Sequence, residues 1–283
     1  MSQHAQLSVH ALGLPAMSDE DFLQDVAAIG ATQIGVVSDD LLSLPEALFH
    51  ARLTALADAG VRICSIVHLL MPTLDVDLAT ANEARERLNA LLERAQQCGA
   101  EVVYLLTGGR GQLSWMAASD RFREVVGPCV ERSRALGIQL AVENASSLYA
   151  DIHIAHSIND ARRLAQHTGI ALCVELFFCW ADADIFEQLE AAIPDIALVQ
   201  VSDYHVGDRS LPNRAVPGDG DIPLKTLLGF LLSLGYRGLI DIELLGPRIE
   251  NEGRVAAYAR AVKTVSAWLT ELMPIMGRNH ESQ

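Results

Sequence analysis

Short apolar runs alternate with longer amphipathic stretches from one end of the chain to the other, and the alternation repeats eight times. The apolar runs, at residues 7–12, 33–37, 62–68, 102–107, 139–143, 171–176, 197–201 and 239–244, are mostly continuous rather than alternating. Continuous apolarity marks strands buried on both faces, as in a parallel sheet covered by helices. The stretches between them predict helices at 19–29, 45–59, 78–98, 119–136, 158–167, 183–192, 223–234 and 252–273. Ser18 stands where an N-cap is wanted. Gly30, Gly60, Gly99 and Gly137 end the first four helices just before the next strand, as short αβ connections do.

Eight strand–helix rounds without a polar linker or low-complexity segment predict one closed (β/α)8 TIM barrel over residues 1–276, followed by a polar tail at 277–283. The 283 residues suit a fold that takes about 250. A composition that is 50% hydrophobic but only 5% aromatic suits its layered aliphatic core. A doubly wound open sheet is the alternative, and it differs by a reversal of strand order that sequence does not show. The N-terminal MSQHAQLSVH lacks a basic start followed by an apolar run, so no signal peptide is expected. No apolar run approaches the roughly 20 residues of a membrane span.

A net charge of −15 argues against a nucleic-acid partner and against an anionic membrane surface. Otherwise it speaks for solubility alone. The five cysteines, Cys64, Cys98, Cys129, Cys173 and Cys179, form no CxxC pair and are odd in number. Reduced thiols in a cytoplasmic protein are therefore expected, with a small molecule as partner and homo-oligomerisation left open.

In a parallel barrel, chemistry gathers at the C-terminal ends of the strands. Strand five ends in AVEN with Glu143, strand six in ALCVEL with Glu175, strand seven carries Gln200 in LVQVSD, and strand eight carries Glu243 in LIDIELL. A single carboxylate in an apolar strand is readily explained by an arginine. Three glutamates and a glutamine from four successive strands bring together about three negative charges and a neutral oxygen donor, for which a divalent cation is a natural remedy. An all-oxygen set suits Mn2+ or Mg2+, with Co2+ as a further candidate.

These strand ends resemble those of the xylose isomerase-like barrels, the superfamily of sugar-phosphate isomerases and epimerases that also includes the AP endonucleases. The resemblance spans nearly the whole chain and is strongest from about residue 138 to 247. It makes Glu143, Glu175, Gln200 and Glu243 the metal ligands, and Glu143 and Glu243 also the proton carriers. The segment VPGDGDIP at 216–223 resembles the Gly-x-Gly loop before helix seven. Two positions depart from the family pattern. The strand-seven histidine is Gln200, as in the 3-dehydroshikimate dehydratases of this superfamily, and the histidine that follows the strand-six acid is Phe178. The second departure removes a ligand of the three-metal AP endonucleases and disfavours DNA repair.

The resemblance implies a metal-dependent isomerase or epimerase of a polyhydroxy carbonyl compound, acting by α-proton abstraction. A lyase or dehydratase on the same scaffold is the alternative, and a metal-free binding barrel with its glutamates neutralised by arginines is the alternative of another class. His68 and His205 are candidates for a separate base. His10, Trp180, Arg209, Arg214 and Arg248 are candidates for substrate binding, the arginines for a carboxylate or phosphate. The TGGRG at 107–111 reads either as a phosphate cradle or, more plainly, as a tight βα turn. Both lysines, Lys225 and Lys263, fall on helices, which disfavours a Schiff-base aldolase.

Overall fold

The computed structural model describes residues 3–277. Eight strands, β1 (Leu7–His10), β2 (Gln33–Val37), β3 (Arg62–Leu69), β4 (Val102–Leu106), β5 (Gln139–Glu143), β6 (Ala171–Glu175), β7 (Ile196–Val201) and β8 (Leu239–Ile242), pair in chain order into a closed, wholly parallel barrel. Closure excludes the doubly wound sheet, since β1 pairs with β8 as well as with β2. The helices are α1 (Asp21–Ile29), α2 (Ser38–Ser43), α3 (Glu46–Asp58), α4 (Leu78–Cys98), α5 (Trp115–Ala135), α6 (Ile158–Thr168), α7 (Leu176–Cys179), α8 (Ile185–Ala192), α9 (Leu224–Ser233), α10 (Pro247–Glu252) and α11 (Arg254–Gly277).

The strands are apolar on both faces because two separate cores need them. One face packs outward: Val142, Val174, Val199, Val201, Ile240 and Ile242 join the helices in a single large cluster. The other face fills the barrel with Cys64, Val102, Tyr104, Ala141, Cys173, Leu198 and Leu239. Side chains alternate along a strand, so the residue two steps beyond an interior one is also interior. Ala141 is thus followed by Glu143, Cys173 by Glu175, Leu198 by Gln200, and Leu239 by Asp241 and then Glu243. The polar groups stand on the next layer above an apolar plug.

Gly30, Gly60, Gly99 and Gly137 all follow their helices with positive φ. Boundaries differ from the sequence expectation in several places. Helix α1 starts at Asp21 with Glu20, not Ser18, at its N-cap position and no side-chain cap, and the short α2 was not expected. Helix α5 starts earlier because Ser114 caps it, its side chain accepting from Ala117 N–H. The helix expected at 252–273 is α11, which starts after Gly253 (φ 94°) and is preceded by the separate short α10. The short α7 follows β6 directly, with Glu175 as its N-cap. Helix α11 runs to Gly277, and 278–283 of the expected tail lie outside the described residues. No helix among the described residues is long and apolar enough to cross a membrane.

Candidate active site at the barrel mouth

Glu143, Glu175, Gln200 and Glu243 are all buried on the interior face of β5 to β8. The chain brings a cation to them. Arg214, itself only 3% exposed, lies in the long loop after β7. Its Nη1 donates to Glu175 Oε2 and, at 2.9 Å, to Ser202 Oγ, while Nη2 stands 3.0 Å from Glu243 Oε1. The other oxygens of the two glutamates are also taken. Phe177 N–H donates to Glu175 Oε1 at 3.0 Å, and Gln200 Nε2 donates to Glu243 Oε2 and, at 3.1 Å, to Tyr104 Oη. Gln200 Oε1 accepts from the Cys173 thiol.

Glu143 is different: no hydrogen bond to its carboxylate occurs among the described residues. Burial first, then the charges of Glu243 and Glu175, push its pKa well above the usual carboxylate range. Burial also raises Glu175, and Arg214 opposes that rise. One layer below, Asp241 accepts a hydrogen bond from Ser8 Oγ, and its second oxygen has no partner. Burial pushes Asp241 well above its ordinary value, Ser8 offsetting part of the shift.

The expected convergence of four oxygen donors on one point is therefore not what this arrangement shows. Among the described residues, no three histidine, cysteine, aspartate or glutamate side chains are arranged to hold a metal ion. The physical reason is Arg214, whose fork already bridges Glu175 and Glu243. The composition of the site nevertheless fits a hard dication. Three carboxyl groups share one guanidinium, and Glu143 has no donor of its own among the described residues. A dication there would compete with Arg214 for the oxygens of Glu175 and Glu243.

The remaining candidates divide. His10 faces the interior beside Tyr104, the ring centroids 6.2 Å apart. Its Nδ1 accepts from Leu12 N–H at 3.1 Å, so Nε2 carries the proton, and that buried Nε2 has no partner. Burial, with Arg214 adding to it, lowers its pKa to about 3. His68 is not brought to the glutamates. Its neighbour Val67 packs into the barrel interior, while His68 turns toward α2 and α4 and bonds Ser38 Oγ at 2.8 Å. Burial, then Arg87, lowers its pKa to about 4. His205 lies instead near Asp219, whose carboxyl is held below its usual range mainly by Arg260. Arg248 is occupied by Asp208, 2.9 Å away. The TGGRG segment is a packed turn, since a Cβ on Gly109 would stand 2.3 Å from the Asp151 carbonyl oxygen.

Three supporting residues lay outside the sequence reading. Asn144 makes a reciprocal pair of hydrogen bonds with the backbone N–H and carbonyl of Glu175, tying the end of β5 to that of β6. His153 accepts from Thr107 N–H through Nδ1 and donates from Nε2 to the Glu143 carbonyl at 2.8 Å. Asp203 accepts four backbone N–H groups, from Tyr204, Gly218, Gly220 and Ile222. The Asp203 backbone also pairs with Ala215, and Arg214 N–H donates to the Leu245 carbonyl, which together fix where Arg214 stands. A period-two reading of LIDIEL would have found Asp241 on the face of Glu243; nothing local marks Asn144 or His153.

The loops after β5, β6 and β7 form an open cavity of about 290 Å³ lined by Leu148, Phe177, Phe178, Trp180, Tyr204 and Arg209 among others. Behind its wall, the buried Arg214 guanidinium stacks on Phe177, with Cζ 4.7 Å from the ring centroid.

Comparison with known proteins agrees with this fold. A family model described as xylose isomerase-like TIM barrel matches residues 23–271. No curated protein matches the chain. Among solved structures, D-psicose 3-epimerase from Clostridium cellulolyticum H10, determined with D-tagatose, is similar with a TM-score of 0.76 at 13% identity, over 96% of this chain and 99% of that one. A xylose isomerase-like TIM barrel protein from Mycobacterium smegmatis, in complex with magnesium, gives 0.75 at 18% identity over 96% and 99%. IolI, with a bound zinc, gives 0.75 at 17% identity over 94% and 99%. At these identities the likeness is one of fold.

Proposed function

We propose, from the premise that this chain belongs to the xylose isomerase-like TIM barrel family, that it is an isomerase or epimerase moving a proton at a carbon beside the carbonyl of a polyhydroxy compound, with one divalent cation, Mn2+ or Mg2+, at the barrel mouth. The observation that carries the reading is the charge of the site, three buried glutamates against the single Arg214. The similarity to D-psicose 3-epimerase, and to family folds holding magnesium or zinc, adds to it.

Glu143, Glu175 and Glu243 would hold the ion through carboxylate oxygens and Gln200 through its amide oxygen. When bound, the ion supplies a Lewis acid for the substrate carbonyl. The chain supplies the proton carriers. Glu143 lacks a hydrogen-bond donor among the described residues, and burial raises its affinity for protons, which suits a group that accepts one and returns it. Glu243, oriented by Arg214 and Gln200, is the second carrier, and epimerisation needs one for each face of the carbon. In this reading the Nε2–H of His10, which has no partner among the described residues, and the Arg214 guanidinium would steady negative charge developing on substrate oxygens. Arg209, on the cavity wall, would hold an anionic substituent, and Trp180 would pack against the substrate. His68 and His205 have no part in this proposal, because neither meets the glutamates.

The test is deuterium uptake from D2O into a panel of ketoses, cyclitol ketones and keto acids with Mn2+ present, alongside metal analysis of protein purified without chelator. The expected result is label uptake, about one metal per chain, and a loss of at least about 100-fold in Glu143→Gln. No uptake on any member of the panel, no retained metal and no thermal shift with Mn2+ would reduce the protein to a binding barrel. Gln200 favours one second reading, a lyase, which a conjugated, ultraviolet-absorbing product would establish.

A further inference from the structure

The cavity formed by the loops after β5, β6 and β7 joins an aromatic wall to a polar edge. Its walls hold an aromatic network: Phe177 meets Phe178 and Tyr204 edge-on at 5.2 and 5.8 Å, Phe178 meets Tyr149 at 5.9 Å, and Trp180 leans on Tyr204 at 6.3 Å. Edge-to-face contacts of this kind fix the rings as rigid walls, and with Arg214 stacked on Phe177 and Phe178 it is the half-buried Trp180 and Tyr204 that remain for a further planar group. At its edge stands Leu148, 73% exposed, an apolar side chain that a ligand in the cavity would cover.

The volume decides the size of that group. A cavity of about 150 Å³ accommodates benzene, so about 290 Å³ holds a substituted ring with room to spare. The position decides what it is joined to. Each wall begins within a few residues of a glutamate or of Gln200: Leu148 follows Glu143, Phe177 and Phe178 follow Glu175, and Tyr204 follows Gln200. The Arg214 guanidinium lies against Phe177 and Phe178 while it bridges Glu175 and Glu243, so the aromatic wall and the acidic site meet at this one side chain. The polar edge is Asp208, Arg209 and Ser210, of which Asp208 is already paired with Arg248.

We propose that the substrate is a polyhydroxy carbonyl compound carrying an aryl group, as an aryl glycoside does, and that the aryl group stacks in this cavity while the polyhydroxy part faces the glutamates. This rests on the proposed function for the identity of the polar part, but the aryl subsite stands on the cavity alone.

The experiment is calorimetric titration of the Mn2+-loaded protein with 4-nitrophenyl β-D-glucopyranoside and with methyl β-D-glucopyranoside, neither of which has a carbonyl to turn over. The aryl compound is expected to bind at least about ten-fold more tightly. Leu148→Asp, at the exposed rim of the cavity, is expected to erase that preference while leaving binding of the methyl compound where it was, and Trp180→Ala, at a residue proposed to pack against the substrate, is expected to erase the preference by weakening the aryl compound more than the methyl one. Equal affinities, no detectable binding of the aryl compound at millimolar concentration, or a preference that survives in both variants overturns the subsite. An aryl preference in a protein that shows no deuterium exchange keeps the subsite and removes the proposed reaction; exchange on free ketoses without an aryl preference does the reverse.

Discussion

Asp241 is the residue whose chemistry is most constrained by its surroundings. It is fully buried, receives one hydrogen bond from Ser8, and has a second oxygen with no donor. Burial raises its pKa well above the ordinary aspartate value of about 3.9. The sign of the linked stability follows. The folded state keeps a proton that the unfolded chain releases, so the wild type carries no penalty below that ordinary value and loses stability as pH rises from there toward the folded pKa. Asn at this position is neutral throughout and can still accept from Ser8. Asp241→Asn is therefore expected to gain stability relative to wild type as pH rises, with the larger advantage at pH 8 and little at pH 4.5. Urea unfolding of both proteins at the two pH values checks it; a constant difference would mean that Asp241 is ionised in the fold and paired with a cation.

At the scale of elements, the loop from Asp203 to Ile222 is a carboxylate wrapped in four backbone N–H groups. Gly220 is required because a Cβ there would stand 2.4 Å from Asp203 Oδ1 and 2.5 Å from the Tyr204 carbonyl oxygen. Removing the carboxylate in Asp203→Ala leaves several donors without a partner, and a loss of more than about 2 kcal/mol is expected. Hydrogen exchange should quicken at Gly218, Gly220 and Ile222 and leave β1 to β4 unchanged. If exchange quickened everywhere alike, the loop would be part of the global core and not a separate support for Arg214. The same loop shows what sequence could and could not give. Strand ends at Glu143, Glu175, Gln200 and Glu243 were legible because chemistry in a parallel barrel gathers at the C-terminal ends of the strands, where these polar groups interrupt apolar runs. The face of His68 was not, because RICSIVHL is apolar on both sides and only contact with Ser38 reveals which way it turns. Arg214 was visible as a loop arginine near the mouth, but its two carboxylate partners are set by the Asp203–Ala215 pairing, a contact with no local signal.

For the whole molecule, acidity is distributed unevenly in its consequences. Most of the net charge of −15 is solvated and costs little, whereas the excess at the mouth is buried across the ends of β5, β6 and β8, with one arginine against three glutamates. Any ion that binds only the folded barrel stabilises it in proportion to the logarithm of its concentration, about 1.4 kcal/mol for each ten-fold rise once the site is nearly saturated. Added Mn2+ is therefore expected to raise the unfolding temperature, and EDTA to lower it, with the increased amide protection confined to the ends of β5 to β8. Arg214 and the ion answer the same charge, so their contributions should not add. Arg214→Gln leaves two buried carboxylates without a cation and is expected to cost about 3–5 kcal/mol without metal. The Mn2+-induced rise should then be larger in that variant than in wild type. An equal or smaller rise in Arg214→Gln would show that the ion does not sit among these glutamates, and that the guanidinium alone is what the buried acids were built around.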